Sequence, residues 1–226
     1  MTRRTSARLA GIAFLLYIAF GITSMVAFGR ATGGEGIAAK LASIAQHATD
    51  VRIALLLTLL CSFCALALGV SLWSITRDQD PVLAVMGLVF RVGEGVIGGI
   101  AVHRSLSLLW LATVTGTYAP GPDEAQALGA FLLRGQGGDV SASFFAVGST
   151  CFSWLLLRGR MIPAWLAWLG FISSVMWVVG FPLQMVDALP GQFTYALYIP
   201  MAVFEVVLAL LLIFKGAEAR AVRAPA

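Results

Sequence analysis

Six apolar runs set the limits on what this chain can fold into. They cover residues 9–29, 51–75, 83–103, 141–157, 164–186 and 194–214. Each holds about 17–25 residues, the length that crosses a ~30 Å hydrocarbon layer at about 1.5 Å per residue. Inside hydrocarbon, every backbone N–H and C=O needs a partner within the chain, so each run is expected to be a helix. The expected fold is all-α: an integral membrane helical bundle of six transmembrane helices in one domain, with 216–226 as a disordered tail. A seven-span variant arises because the apolar pattern continues past Arg104 to Tyr118. Residues 105–118 then either extend a long third helix, follow a break at Gly98-Gly99, or form a segment of their own.

Composition excludes the soluble alternative. The chain has 226 residues, of which 59% are hydrophobic and 12% charged, with a mean hydropathy of +0.90. Soluble domains carry about 25% charged residues. A soluble fold of this size has too little interior to hide that much apolar surface, so the expected solvent is lipid. The pI of about 9.3 does not point to nucleic acid. The basic residues lie scattered at the ends of apolar runs rather than on one face, as membrane orientation requires.

Charge arithmetic then orients the chain. With six spans, one side holds Arg3, Arg4, Arg8, Arg77, Arg158, Arg160, Lys215, Arg220 and Arg223. The other holds Arg30, Lys40, Arg52 and Arg134. Positive charge stays inside, so both termini are expected in the cytoplasm of a plasma (inner) membrane protein. A seventh span would place the Arg158/Arg160 hairpin outside. The first run is longer than a signal core and ends without an A-x-A-like site, so it is expected to stay uncleaved.

Between the spans, Ile37, Leu41 and Ile44 recur at helical spacing and predict a short helix lying on the membrane surface. Asp50 is placed to cap the second span. Pro81 starts the third span after a polar turn. Asp123 and Glu124 open another short helix, 125–133, where acids favour the amino end.

The third run is the unusual one. It carries Arg91 and Glu94, one helical turn apart and on one face. The last run carries Glu205. Counted from the same side, Arg91 lies about 12 Å deep and Glu205 about 13 Å deep. A charge at that depth costs at least ~2.5–3.5 kcal/mol on insertion scales, so the three are expected to face one another. One reading is a structural ion-pair cluster. The other is a site for a ligand, a proton or a cation, because two carboxylates against one guanidinium leave one carboxylate uncompensated.

Other motifs are weaker. Cys61 and Cys64 form a C-x-x-C mid-span, with no neighbouring base to activate a thiol, and read as small apolar filler. Gly95 and Gly99 form a G-x-x-x-G, which lets helices approach closely, either within the bundle or between two copies in a homo-oligomer. His47 and His103 have no further metal-ligand spacing, so no metal and no cofactor is expected. Trp73, Trp110, Trp165, Trp168, Tyr195 and Tyr198 read as interfacial anchors.

Four stretches resemble a known family: Arg8-Leu9-Ala10-Gly11, Arg91-Val92-Gly93-Glu94, the Arg158-to-Leu166 hairpin RGRMIPAWL, and Ile199-Pro200 to Phe204-Glu205. The family is one of bacterial membrane proteins catalogued as domain of unknown function 4386. The resemblance implies a six- or seven-span bacterial membrane protein. It implies no activity and brings no catalytic residues.

The sequence thus points to a non-enzymatic membrane protein in contact with lipids, binding a small or lipid-like molecule or a proton near Arg91, Glu94 and Glu205. A small transporter is one rival, though no internal repeat supports it. A membrane enzyme, thiol redox or lipid-modifying, is the other, though no nucleophile or base stands beside the charges.

Overall fold

The computed structural model describes residues 2–133, 138–186, 188–189 and 193–217. Six long helices dominate it: α1 (Arg3–Ala31), α3 (Ala48–Thr76), α4 (Pro81–Thr113), α6 (Gly138–Arg158), α7 (Ala164–Met185) and α8 (Phe193–Phe214). Two short helices, α2 (Gly36–Gln46) and α5 (Pro122–Leu133), lie in the loops. Among the described residues there is no strand. Five of the long helices are long and apolar enough to cross a membrane, and the described apolar part of α8 is Tyr198–Phe214. The protein is an all-α membrane bundle.

Its surface is that of a protein solvated by lipid. Ile12, Leu16, Met25, Leu56, Val89, Ile100, Ile172 and Val179 point outward, while Ser62, Ser71, Ser173, Ser174, Arg91 and Glu94 are buried. A monomer in water does not expose a contiguous apolar belt of this kind.

The long helices close into a ring. Each packs on the next in the order α1, α3, α4, α6, α7, α8, and α8 returns to α1. Among the described residues, the α4 backbone approaches neither α1 nor α8. Side chains from these three helices therefore meet only across the interior. Toward the termini, the ring is filled by Phe14, Leu68, Leu72, Ile75, Phe152, Leu155, Leu208 and Leu212.

Residues 105–113 are an unbroken continuation of α4, and a single 3-10 turn, Gly116–Tyr118, follows. Among the described residues there is no separate seventh segment, and Gly98-Gly99 does not break the helix. The physical reason is packing. A Cβ on Gly98 would stand 3.1 Å from the Ser62 hydroxyl of α3, so glycine here serves a close helix contact. Asp50 also differs from expectation. It lies within the first turn of α3, whose cap residue is His47. Pro81 does start α4, with Asp80 capping it through a 3.1 Å bond from the Leu83 amide.

The apolar face of α2 meets protein rather than lipid. Ile44 is fully buried with Ala31, Val51, Leu55, Leu108 and Leu109. A Cβ on Gly129 of α5 would touch Ile37 and Leu41. Arg104 ties α5 to α4, donating from Nε to the Leu132 carbonyl at 3.1 Å and from Nη2 to that of Phe131 at 2.5 Å. Those carbonyls are the unpaired ones at the end of α5. Together α2 and α5 form a cap over the end of the ring away from the termini. Ile44→Ala should remove ~2–5 kcal/mol of this local packing. The expected result is faster proteolysis at residues 32–35, with little change in unfolding of the long helices. Unaltered cleavage would show that other contacts hold the cap.

Candidate functional site

Arg91 and Glu94 enter the ring from α4. Two glycines make room for the arginine stem. A Cβ on Gly69 of α3 would lie 3.0 Å from Arg91 Cβ, and one on Gly148 of α6 would lie 3.1 Å from Arg91 Cγ. The guanidinium then reaches the middle, where Arg91 is 1% exposed. Its Nη1 stands 2.8 Å from Glu94 Oε2. Its carbon lies 5.0 Å from the Phe145 ring centre and 5.5 Å from that of Tyr17. A desolvated cation over aromatic faces gains about 2 kcal/mol. Among the described residues, no Arg91 nitrogen has a hydrogen-bond acceptor apart from the Nη1 ion pair to Glu94, so the two rings and Glu94 are what hold this charge.

Glu94 is held on both sides. Its second oxygen, Oε1, accepts a 2.7 Å bond from the Tyr17 hydroxyl of α1. Its backbone carbonyl accepts a 3.1 Å bond from the Ser141 hydroxyl of α6. Tyr17 is the side chain that spans the gap between α1 and α4.

Glu205 comes from the opposite wall. It is 8% exposed, and its Oε1 is buried without a hydrogen-bond partner. Among the described residues, no cation lies within ion-pair distance of it. The structure thus brings Arg91 and Glu94 into contact and places Glu205 in the same interior, but not on Arg91. Glu94 and Glu205 share a cavity of about 290 Å³, lined also by Tyr17, Ser141, Phe145, Trp177 and Tyr198.

A larger cavity of about 570 Å³ lies toward the α2/α5 cap, lined by Ser24, Thr32, Thr58, Cys61, Gly98, Arg104 and Ser141, among others. Ser141 belongs to both walls. The two spaces therefore adjoin at that residue, and the larger one extends to the capped end.

The remaining sequence candidates fall elsewhere. Gly95 faces α3, where a Cβ would stand 3.0 Å from the Ser62 carbonyl, and a Cβ on Gly99 would be 4.0 Å from the Ser62 hydroxyl. Gly95 is buried against α3, and Gly99 is partly exposed beside it. Cys61, Cys64 and Cys151 are free thiols, and Cys61 donates a long 3.5 Å contact to the Tyr17 carbonyl. Among the described residues, no group of three or more His, Cys, Asp and Glu could hold a metal. The side chain of Tyr195 and the charges Arg134, Arg220 and Arg223 lie outside the described residues.

Tyr198 belongs to the site rather than only to an interface. Its ring packs edge-on against Trp177 at 4.5 Å and lines the cavity of the two glutamates. Sequence reasoning missed Tyr17, Phe145, Trp177 and the two glycines beside Arg91. Tyr17 had one legible signal: it carries a hydroxyl in the middle of an apolar run, away from either interface. Buried tyrosines of this kind find a polar partner.

The chain matches the family described as domain of unknown function (DUF4386) over residues 9–216. It belongs to that family. No curated protein and no solved structure matches it. The matched region of DUF4386 contains every residue of the buried site, from Tyr17 on α1 to Glu205 on α8.

Proposed function

We propose that this DUF4386 protein is a membrane-embedded binding protein that takes a small molecule into the interior cavity beside Arg91, Glu94 and Glu205. One observation carries the reading. Among the described residues, Glu205 Oε1 is a buried acceptor without a hydrogen-bond partner, and Glu205 lines a cavity. Buried charges kept for structure are paired with an opposite charge, as Arg91 and Glu94 are at 2.8 Å. A carboxylate left over beside open space fits a ligand-binding role.

Access is from the capped end. The adjoining cavity runs that way, and the other end is filled by core side chains. Both termini face the cytoplasm of the plasma membrane in this reading, so the cap faces outward. Support comes from Arg3, Arg4, Arg8, Arg77, Arg158, Arg160 and Lys215, all at the ends of helices or in turns on the terminal side. Arg3 and Arg158 also meet Asp78 and Asp80 there at 3.9 and 3.6 Å.

Three single-cysteine variants in a chain freed of its own thiols test access and orientation together. With an impermeant thiol reagent on intact cells, Asp123→Cys should react quickly and Ser141→Cys slowly. Arg77→Cys should react only after the membrane is opened. If Ser141→Cys reacts only after denaturation, the cavity is not reached by solute and the binding reading falls. Labelling of Arg77→Cys on intact cells would reverse the orientation.

A further inference from the structure

We infer that the molecule held in the interior cavity is an organic ammonium ion, paired with Glu205 and surrounded by the aromatic wall of Tyr17, Phe145, Trp177 and Tyr198. The inference rests on the reading of the cavity as a binding site and adds its chemistry.

Charge gives the sign. Arg91 and Glu94 neutralise each other at 2.8 Å, and the Tyr17 hydroxyl occupies the other Glu94 oxygen. What remains is one carboxylate, 8% exposed, with a buried oxygen that accepts no hydrogen bond. Glu94 and Glu205 both line the cavity, while Arg91 does not. An anion would face two carboxylates there, whereas a cation completes the balance.

The wall gives the kind of cation. Four of the lining residues are aromatic, and Trp177 packs against both Phe145 at 5.4 Å and Tyr198 at 4.5 Å. Aromatic faces attract a diffuse ammonium charge, and rings around one carboxylate are a recurring way to hold alkylammonium groups. A hard inorganic cation asks instead for six or more oxygens at short range, which this mostly carbon wall does not supply. A volume of about 290 Å³ admits an ammonium group with several carbon substituents.

The test uses the full chain in detergent, followed by tryptophan fluorescence and thermal unfolding. The probes are tetramethylammonium, choline and benzyltrimethylammonium chlorides. Neopentylbenzene, in which carbon replaces the nitrogen of the last, is the uncharged control, and sodium chloride at equal ionic strength is the salt control. At least one ammonium probe should quench fluorescence saturably and raise the melting temperature. Its affinity should fall at least about ten-fold in Glu205→Gln, and neopentylbenzene should bind about ten-fold more weakly in the parent. Should Glu205→Gln not fold, Tyr198→Leu serves in its place. That residue is half-exposed, and its loss should weaken the ammonium probe several-fold and leave the neutral one unchanged. Equal binding of the neutral analogue, the same response to sodium chloride, or undiminished binding in the variants overturns the inference. If no ammonium probe binds while Ser141→Cys still reacts from outside, the ammonium assignment alone is wrong. If Ser141→Cys is also unreactive, the binding reading fails with it.

Discussion

Replacing Arg91 with Met will destabilise the bundle by about 3–5 kcal/mol. Methionine keeps much of the arginine's length and apolar stem, so the space between Gly69 and Gly148 stays filled. What disappears is the cation. Glu94 then has only the Tyr17 hydroxyl on one oxygen, and Glu205 faces it across the same cavity with nothing to balance either charge. A buried charge stripped of its partner is among the most costly single changes a fold can suffer. The triple variant Arg91→Met, Glu94→Gln, Glu205→Gln removes every charge and keeps the shapes. It should return to within about 1 kcal/mol of the parent, because exchanging a buried ion pair for neutral groups of similar volume is often neutral. Unfolding in detergent, monitored by circular dichroism for parent, single and triple variants, reads both numbers. A single variant as stable as the parent would mean that the 2.8 Å pair contributes nothing to holding α4 in the ring. A stable triple variant that no longer binds an ammonium probe would separate the site's role from the fold's.

The second large effect is expected at Gly11, where α1 meets α8. A Cβ there would stand 2.5 Å from the Ala209 carbonyl oxygen and 2.7 Å from Ile213 Cγ1. The isoleucine can turn, but the carbonyl belongs to a helix backbone and cannot. Gly11→Ala should therefore force the two helices apart and cost ~1–3 kcal/mol as overpacking, partly offset by the ~0.5–1 kcal/mol that alanine gains in a helix. This contact lies in the α1–α8 packing that closes the ring, so the loss should also appear as easier dissociation of the last helix. Gly21 is the internal control. Its Cβ would meet only Cys61 Sγ, at an ordinary 3.8 Å, and Gly21→Ala should be neutral or slightly stabilising. If the two substitutions behave alike, the α1–α8 approach is looser than 2.5 Å implies.

The charged core shows how far sequence carries and where it stops. The pairing of Arg91 with Glu94 was legible because it is local: three residues along a helix places both on one face whatever the rest of the chain does. The depth of Glu205 was legible from the rise per residue. Whether it meets Arg91 was not, because two residues at one depth meet only if their helices face each other. The ring sets α4 and α8 apart, so Glu205 shares a cavity with Glu94 instead of touching Arg91. Tyr17, Phe145, Trp177 and Tyr198 became one wall for the same reason. They come from four helices, and no spacing within any one of them encodes the meeting. In α2, the pattern of Ile37, Leu41 and Ile44 gave an apolar face, but an apolar face is satisfied equally by lipid and by α5.

By itself the sequence determined what the solvent and the backbone require. Apolar runs of bilayer length had to become helices because hydrocarbon offers no partner to a bare N–H or C=O. An arginine and a glutamate within such a run had to turn inward because lipid does not solvate charge. The tertiary structure alone decided the order of the helices around the ring, the continuation of α4 through Gly98-Gly99 on Ser62, the folding of α2 and α5 into a cap, and the unpaired Glu205 beside its cavity. Those outcomes depend on which surfaces fit at close range between elements distant in the chain, and shape at that range is written in no single segment.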